Sequence, residues 1–339
     1  MRTRLLGSLL ALVALASAGP GAQGSKPKTE ELNGYAEWRK GDVLTVDGQR
    51  LRVTPATKFK GKAATSIDAI PLGYEVKAKG VRGGDGVVQA VEIEAKPNGE
   101  AMFEGDVRQA TDEIEAMWLR AGMMYEPKDD GTREVIGRMI DADPRGDRVW
   151  EIVDRLRPPY LPSTAVRVHV VRTEDWNAAA MGNGSIWVYS GLVDEMSDDE
   201  LAVVLGHEMA HYTHEHSRRA AKSGLWTQLL GLGVLIAADQ IDSDAKRLGA
   251  QFGALLALTA FDSRYSRNQE DQADRIGLRY AYEGGFDVSE GPRLWERFRG
   301  KYGNGNKVTN FFFGGHSRPS DRIKTIRREL AINYPDAIK

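Results

Sequence analysis

The sequence predicts an α+β chain in two parts, a small all-β module followed by a larger, mainly helical region built around a small sheet. Three observations carry this. Short strand-like runs broken by glycine turns fill residues 33–96. Apolar residues at helical spacing dominate after residue 104. Ala165–Val171 alternates as a strand, and Ser185–Tyr189, bounded by Gly182, Gly184 and Gly191, reads as a second.

In chain order, Arg2 and Arg4, the apolar Leu5–Ala16 and the small-residue site Ala16-Ser17-Ala18 read as a secretory signal over residues 1–18. The expectation is an exported, periplasmic protein, soluble or peripherally membrane-associated. Residues 19–32 read as a linker of Gly, Pro, Ser and Lys at its start. Residues 33–96 read as a small OB-like barrel: Val43–Thr54 folds around Asp47-Gly48, and Tyr74–Val81 meets Val87–Glu94 around Gly83-Gly84-Asp85-Gly86. It holds no catalytic cluster, so it reads as a binding or spacer module for an unidentified partner. Residues 104–157 read as helical, with Ile114, Met117, Trp118 and Ala121 on one stripe and Val149, Ile152, Val153 and Leu156 on another, stopped by Pro158-Pro159. The formal net charge of −2 gives no footprint for nucleic acid. The absence of cysteine removes disulfides, thiolate metal sites and cysteine nucleophiles. Any metal must be held by His, Asp and Glu.

The chemistry centres on His207-Glu208-Met209-Ala210-His211. Ser197 and Glu200 form a capping box, and Leu201, Ala202, Val204 and Leu205 continue the helix into the motif. Histidines four apart on a helix share a face and suit one metal ion, leaving Glu208 as base for a bound water. A buried helix with satisfied histidines is the plainer reading of the motif alone. The helix is expected to continue past His214, which then lies about 10 Å from His207 and serves at the surface or in support, and past His216, which faces away as a structural residue. Leu225–Ala238 and Leu248–Phe261 are too short to span a bilayer and read as a helical hairpin, buried or touching lipid. On the next helix Glu270 and Asp274 share a face, so one carboxylate can complete a three-ligand site while the other orients a histidine.

Together with Asn177-Ala178, Gly184–Gly191 and His216, these motifs resemble the gluzincin metallopeptidases that include the CAAX prenyl proteases, HtpX and BepA-like proteins, over roughly residues 104–330. The resemblance implies one zinc ion held by His207, His211 and Glu270, Glu208 as general base, and Asp274 in support. It also implies extended polypeptides as substrates, drawn from unfolded or misassembled envelope proteins, with outer-membrane assembly factors as candidate partners. Residues 100–339 would form this domain. Ser185, Ile186, Trp187, Val188 and Tyr189 are expected as an edge strand that pairs with substrate. His316, in His316-Ser317-Arg318-Pro319-Ser320-Asp321-Arg322, is left as oxyanion donor or resting plug, with Arg322 its partner and Phe311-Phe312-Phe313-Gly314-Gly315 ahead of it. A latent, metal-binding assembly factor with little proteolysis is the alternative from another class.

Overall fold

The structure is a computed structural model describing residues 29–61, 64–95, 104–127, 132–139, 142–221, 265–304 and 319–338. The expected signal, the start of the linker, the hairpin at 225–261 and the segment carrying Phe311 to His316 lie outside the described residues.

Six strands form the first part: β1 (Thr29–Lys40), β2 (Val43–Val46), β3 (Gln49–Arg52), β4 (Lys58–Lys60), β5 (Glu75–Arg82) and β6 (Val88–Ala95). β1 pairs antiparallel with β2 and β5, β2 with β3, and β5 with β6. A parallel pairing of Leu51 with Val88 and Arg52 with Gln89 then joins β3 to β6, so five strands close into a ring. Inside lie Leu44, Leu51, Val76, Val88 and Ile93, all buried. The turn residues Asp47 and Gly48 both have positive φ, the conformation that an Asp-Gly pair adopts at least cost. The linker expected to reach residue 32 ends earlier, since Thr29–Leu32 already pair with β5. Charge hid this strand: Glu31 lies across from Lys79 and pairs with its ammonium at 3.0 Å, so polarity that reads as linker is cross-strand pairing.

In the second part, α1 (Glu104–Ala121) and α2 (Pro144–Leu156) are separated by a hairpin, β7 (Met123–Pro127) with β8 (Arg133–Arg138). Residues 104–157, expected as helical, are thus interrupted by this hairpin after Gly122, whose positive φ follows the end of the first helix. A three-stranded sheet follows, ordered β10 (Ala178–Ala180), β11 (Ser185–Tyr189), β9 (Arg167–Val171). β11 was expected as the substrate edge. It is the central strand instead, parallel to β9, antiparallel to β10 and buried at every residue. The edges are β9 and β10, and the one that meets Glu208 is β10, whose three alanines carry no strand signal of their own.

Helices α3 (Ser190–Glu195), α4 (Asp198–Thr213), α5 (Arg267–Glu283), α6 (Gly291–Tyr302) and α7 (Pro319–Asn333) complete the described fold. α4 and α5 both start in a full capping box, Ser197 with Glu200 and Ser266 with Gln269. They cross with backbones in contact at Gly206 and Gly277, where an added Cβ on Gly277 would lie 2.5 Å from the His207 amide nitrogen. That crossing brings the start of α5 against the histidines of α4.

α4 stops sooner than expected. His214 caps it, Glu215 turns with φ 55°, and residues 216–221 resume as helix in a new direction. The β-ring packs on this corner. His214, fully buried, lies with Nε2 3.0 Å from the Glu37 carbonyl oxygen and donates to it, while Trp38 meets Tyr280 edge to face.

Two predictions follow from this packing. Gly277→Ala should overpack the crossing by roughly 1–3 kcal/mol, a fall of several degrees in Tm for a chain of this size. An unchanged thermal midpoint would show that the helices separate without cost. The second concerns acid. Burial holds the His214 imidazole down to about 4 from its ordinary 6.5. Between those values the unfolded chain binds more protons than the folded one, so stability should fall as pH drops from 6.5 to about 4 and level off below. Urea midpoints at about pH 7 and about pH 5 should differ less in His214→Gln, which keeps a donor for the Glu37 carbonyl without the titration. An equal pH slope in both proteins would remove His214 from the account.

Candidate metal centre

His207 and His211 come from mid-α4 and Glu270 from the first turn of α5, and each is about 1% exposed. Their ligand atoms face one another: the two Nε2 atoms are 3.0 Å apart, and the Glu270 carboxylate oxygens lie 3.6 Å from His207 Nε2 and 3.4 Å from His211 Nε2. A tetrahedral ion with bonds of about 2.0–2.1 Å sets its ligands roughly 3.3–3.4 Å apart, so the three groups fit such an ion.

Protonation points the same way. His207 Nδ1 lies 2.9 Å from Asp274 Oδ1, so its proton sits there and Nε2 presents a lone pair. On His211, Nδ1 is 2.8 Å from Nδ1 of His216, whose own Nε2 is 2.8 Å from Gln272 Oε1. The amide oxygen accepts from His216 Nε2, so His216 Nδ1 accepts from His211 and leaves His211 Nε2 with a lone pair. Burial pushes the His216 imidazole well below its ordinary value and keeps it neutral. Two lone pairs and a carboxylate thus converge in a dry pocket, an arrangement that repels itself without a cation.

The surroundings hold this geometry. Arg322, reaching in from α7, donates from Nε and Nη2 to Asp274 and lies 3.6 Å over the Trp295 ring. Its Nη2 is also 2.6 Å from His207 Nδ1, yet both atoms carry protons, so Asp274 Oδ1 is their common acceptor. Burial raises the Asp274 carboxyl, and the guanidinium draws it back. Tyr265 stacks on the His211 ring at 3.9 Å. Glu208 is buried beside the ligands, and its Oε2 accepts from the Ala180 amide of β10 at 3.0 Å.

The structure therefore brings together His207, Glu208, His211, Glu270, Asp274 and Arg322, all singled out from sequence. His316 lies outside the described residues. Ser185–Tyr189 supports β10 from behind and does not face the site as an edge. Sequence reasoning missed Ala180, Gln272 and the approach of His216. His216 was set on the far face of a continuous helix, and no glycine marks the break at Glu215. Gln272, two residues past Glu270, points away from the ligands, and the displaced His216 meets it there.

Asp274→Asn should weaken metal binding by roughly 10–100-fold in competition with a chromophoric chelator, because the amide no longer fixes the His207 tautomer. Arg322→Ala strands a buried carboxylate and should cost about 3–5 kcal/mol in unfolding free energy. Wild-type metal affinity in the first variant, or wild-type stability in the second, would contradict the roles given to these residues.

Comparison with known proteins agrees with this geometry. Residues 33–94 match a domain of unknown function, DUF5666, and residues 147–330 match peptidase family M48. The chain is 37% identical over 168 residues to the mitochondrial metalloendopeptidase OMA1 of Danio rerio, covering 47% of this chain and 35% of that protein. It is 31% identical over 171 residues to the metalloprotease YcaL of Escherichia coli, covering 50% and 65%. It is 27% identical over 159 residues to a beta-barrel assembly-enhancing protease of Yersinia pestis, covering 45% and 31%. The chain thus spans between about a third and two thirds of the length of these relatives. With more than half of its residues matched, it belongs to peptidase family M48.

Proposed function

We propose that this protein is a zinc-dependent endopeptidase of the cell envelope that cleaves unfolded or misassembled proteins. The observation that carries the reading is the convergence of His207, His211 and Glu270 with Glu208 hydrogen-bonded to an edge strand. Zinc suits two imidazoles and one carboxylate, and when bound it supplies Lewis-acid polarisation of a carbonyl and a water acidic enough to attack near neutral pH.

The chain's own residues supply the rest. Glu208 accepts the proton of the attacking water and delivers it to the leaving amine. Its carboxylate is held by the Ala180 amide, so the base stays aimed while the chemistry proceeds. On either side of β10, the Asn177 carbonyl accepts from Tyr189 and the Met181 amide donates to Ser185, so alternation turns the backbone of Ala178 and Ala180 away from β11. The Ala180 N–H on that side is taken by Glu208, so an extended polypeptide adding there pairs with the remaining backbone groups of Ala178 and Ala180, which suits substrates of many sequences. His316 is the proposed oxyanion donor or resting plug. It precedes by three residues the Pro319 that begins α7, the helix carrying Arg322 to the metal centre.

The signal-like start of the chain supports an envelope setting, and the name of the Yersinia pestis relative supports partners in β-barrel assembly. Among the described residues no helix is long and apolar enough to cross a membrane. The closed β-ring supports the OB-like reading of the N-terminal part. Glu208→Gln should retain stoichiometric zinc yet lose cleavage of casein, because the ligands remain and the base does not. Undiminished turnover by that variant would refute Glu208 as base, and a wild-type protein with full zinc but no cleavage would refute the peptidase reading.

A further inference from the structure

We propose that Glu37, on the first strand of the β-ring, is a positioning residue for the metal site, acting on His211 through Gln272 and His216. The inference rests on reading His207, His211 and Glu270 as metal ligands and extends it to a residue far outside the peptidase-family match.

The strand itself aims Glu37. Ala36 pairs with Val46 and Trp38 with Thr45, so Glu37 is the extra residue of a β-bulge in β1. A bulge re-aims a side chain, and here the Glu37 carboxylate lies at 3% exposure against α5, away from the apolar ring interior. Its Oε1 accepts from Gln272 Nε2 at 2.8 Å, across 235 residues of sequence, and from Arg275 Nη2 at 2.6 Å.

The polarity of the connection runs one way. A carboxylate accepts and never donates, so Gln272 must turn its NH2 to Glu37. Arg219 Nη1 donates to Gln272 Oε1 at 2.6 Å, which holds the amide in the same orientation. The oxygen then accepts from His216 Nε2, and His216 Nδ1 accepts from His211 Nδ1. Every donor from His211 outward points toward Glu37, and the chain ends on an anion. That arrangement fixes the His211 tautomer with its Nε2 lone pair toward the metal and raises its strength as a ligand. On the other ligand, His207, the same service comes from Asp274 inside the peptidase domain. For His211 the terminal anion comes from the β-ring, so the N-terminal part completes the metal site.

The test measures zinc affinity by chelator competition and thermal unfolding of the metal-free protein, using the full chain in four forms. They are wild type, Glu37→Ala, Gln272→Met and the exchange Glu37→Gln with Gln272→Glu. Glu37→Ala and Gln272→Met should each weaken zinc roughly 10–100-fold. The exchange should recover most of that loss, because a carboxylate at 272 accepts directly from His216 while the amide at 37 donates to it. If Glu37→Ala does not fold, Gln272→Met and the exchange carry the test. Variants that unfold at lower temperature with zinc affinity unchanged would reduce Glu37 to an interface contact and overturn the proposal. So would an exchange no better than Gln272→Met. A wild-type protein that binds no zinc would instead overturn the metal reading beneath it.

Discussion

The contact on which the site depends is the backbone crossing of α4 and α5 at Gly206 and Gly277. Helices with ordinary side chains between them pack 8–10 Å apart, and two glycines allow a closer approach. His207 sits one residue beyond Gly206, and Glu270 lies two turns before Gly277, so closeness at the glycines becomes convergence of His207, His211 and Glu270. The proposed ligand set is a consequence of helix packing, anchored by capping boxes that fix where each helix begins.

That packing buries an unusual density of polar groups: Glu208, Glu270, Asp274, Arg322, His207, His211, His214 and His216 are all nearly inaccessible. Such groups are tolerable in a dry interior only when their charges and protons are matched. Arg322 matches Asp274, and Asp274 accepts the His207 proton. His211 passes its proton direction through His216 and Gln272 to Glu37. The metal-facing sides of the ligands are left as acceptors alone, which favours a cation there over water. Function and stability are therefore tied, since loosening either partner chain strands a buried group.

Much of this site was legible in the sequence because helical spacing is a rigid ruler. Residues four apart share a face, so spacing alone pairs His207 with His211 and Glu270 with Asp274. The Asp47-Gly48 hairpin was equally clear, since few residue pairs accept two positive φ angles. What escaped were features decided by tertiary context. β10 is three alanines, a strand only because β11 pairs with it. β1 opens with charges that look like linker until Lys79 lies opposite Glu31. The turn at Glu215 uses a non-glycine residue in the left-handed region, and without it His216 would face away from His211. The Ser185–Tyr189 strand was recognised as a strand, but its place in the sheet depends on neighbours that sequence does not announce.

The central claim is that two imidazoles of α4 and one carboxylate of α5 hold a zinc ion. X-ray absorption at the zinc edge of the purified, zinc-loaded protein tests it most directly. The account predicts a first shell of two histidine nitrogens plus oxygen donors at about 2.0–2.2 Å, with four ligands in all. A shell of three or more imidazoles, which would bring His214 or His216 in place of Glu270, would contradict it.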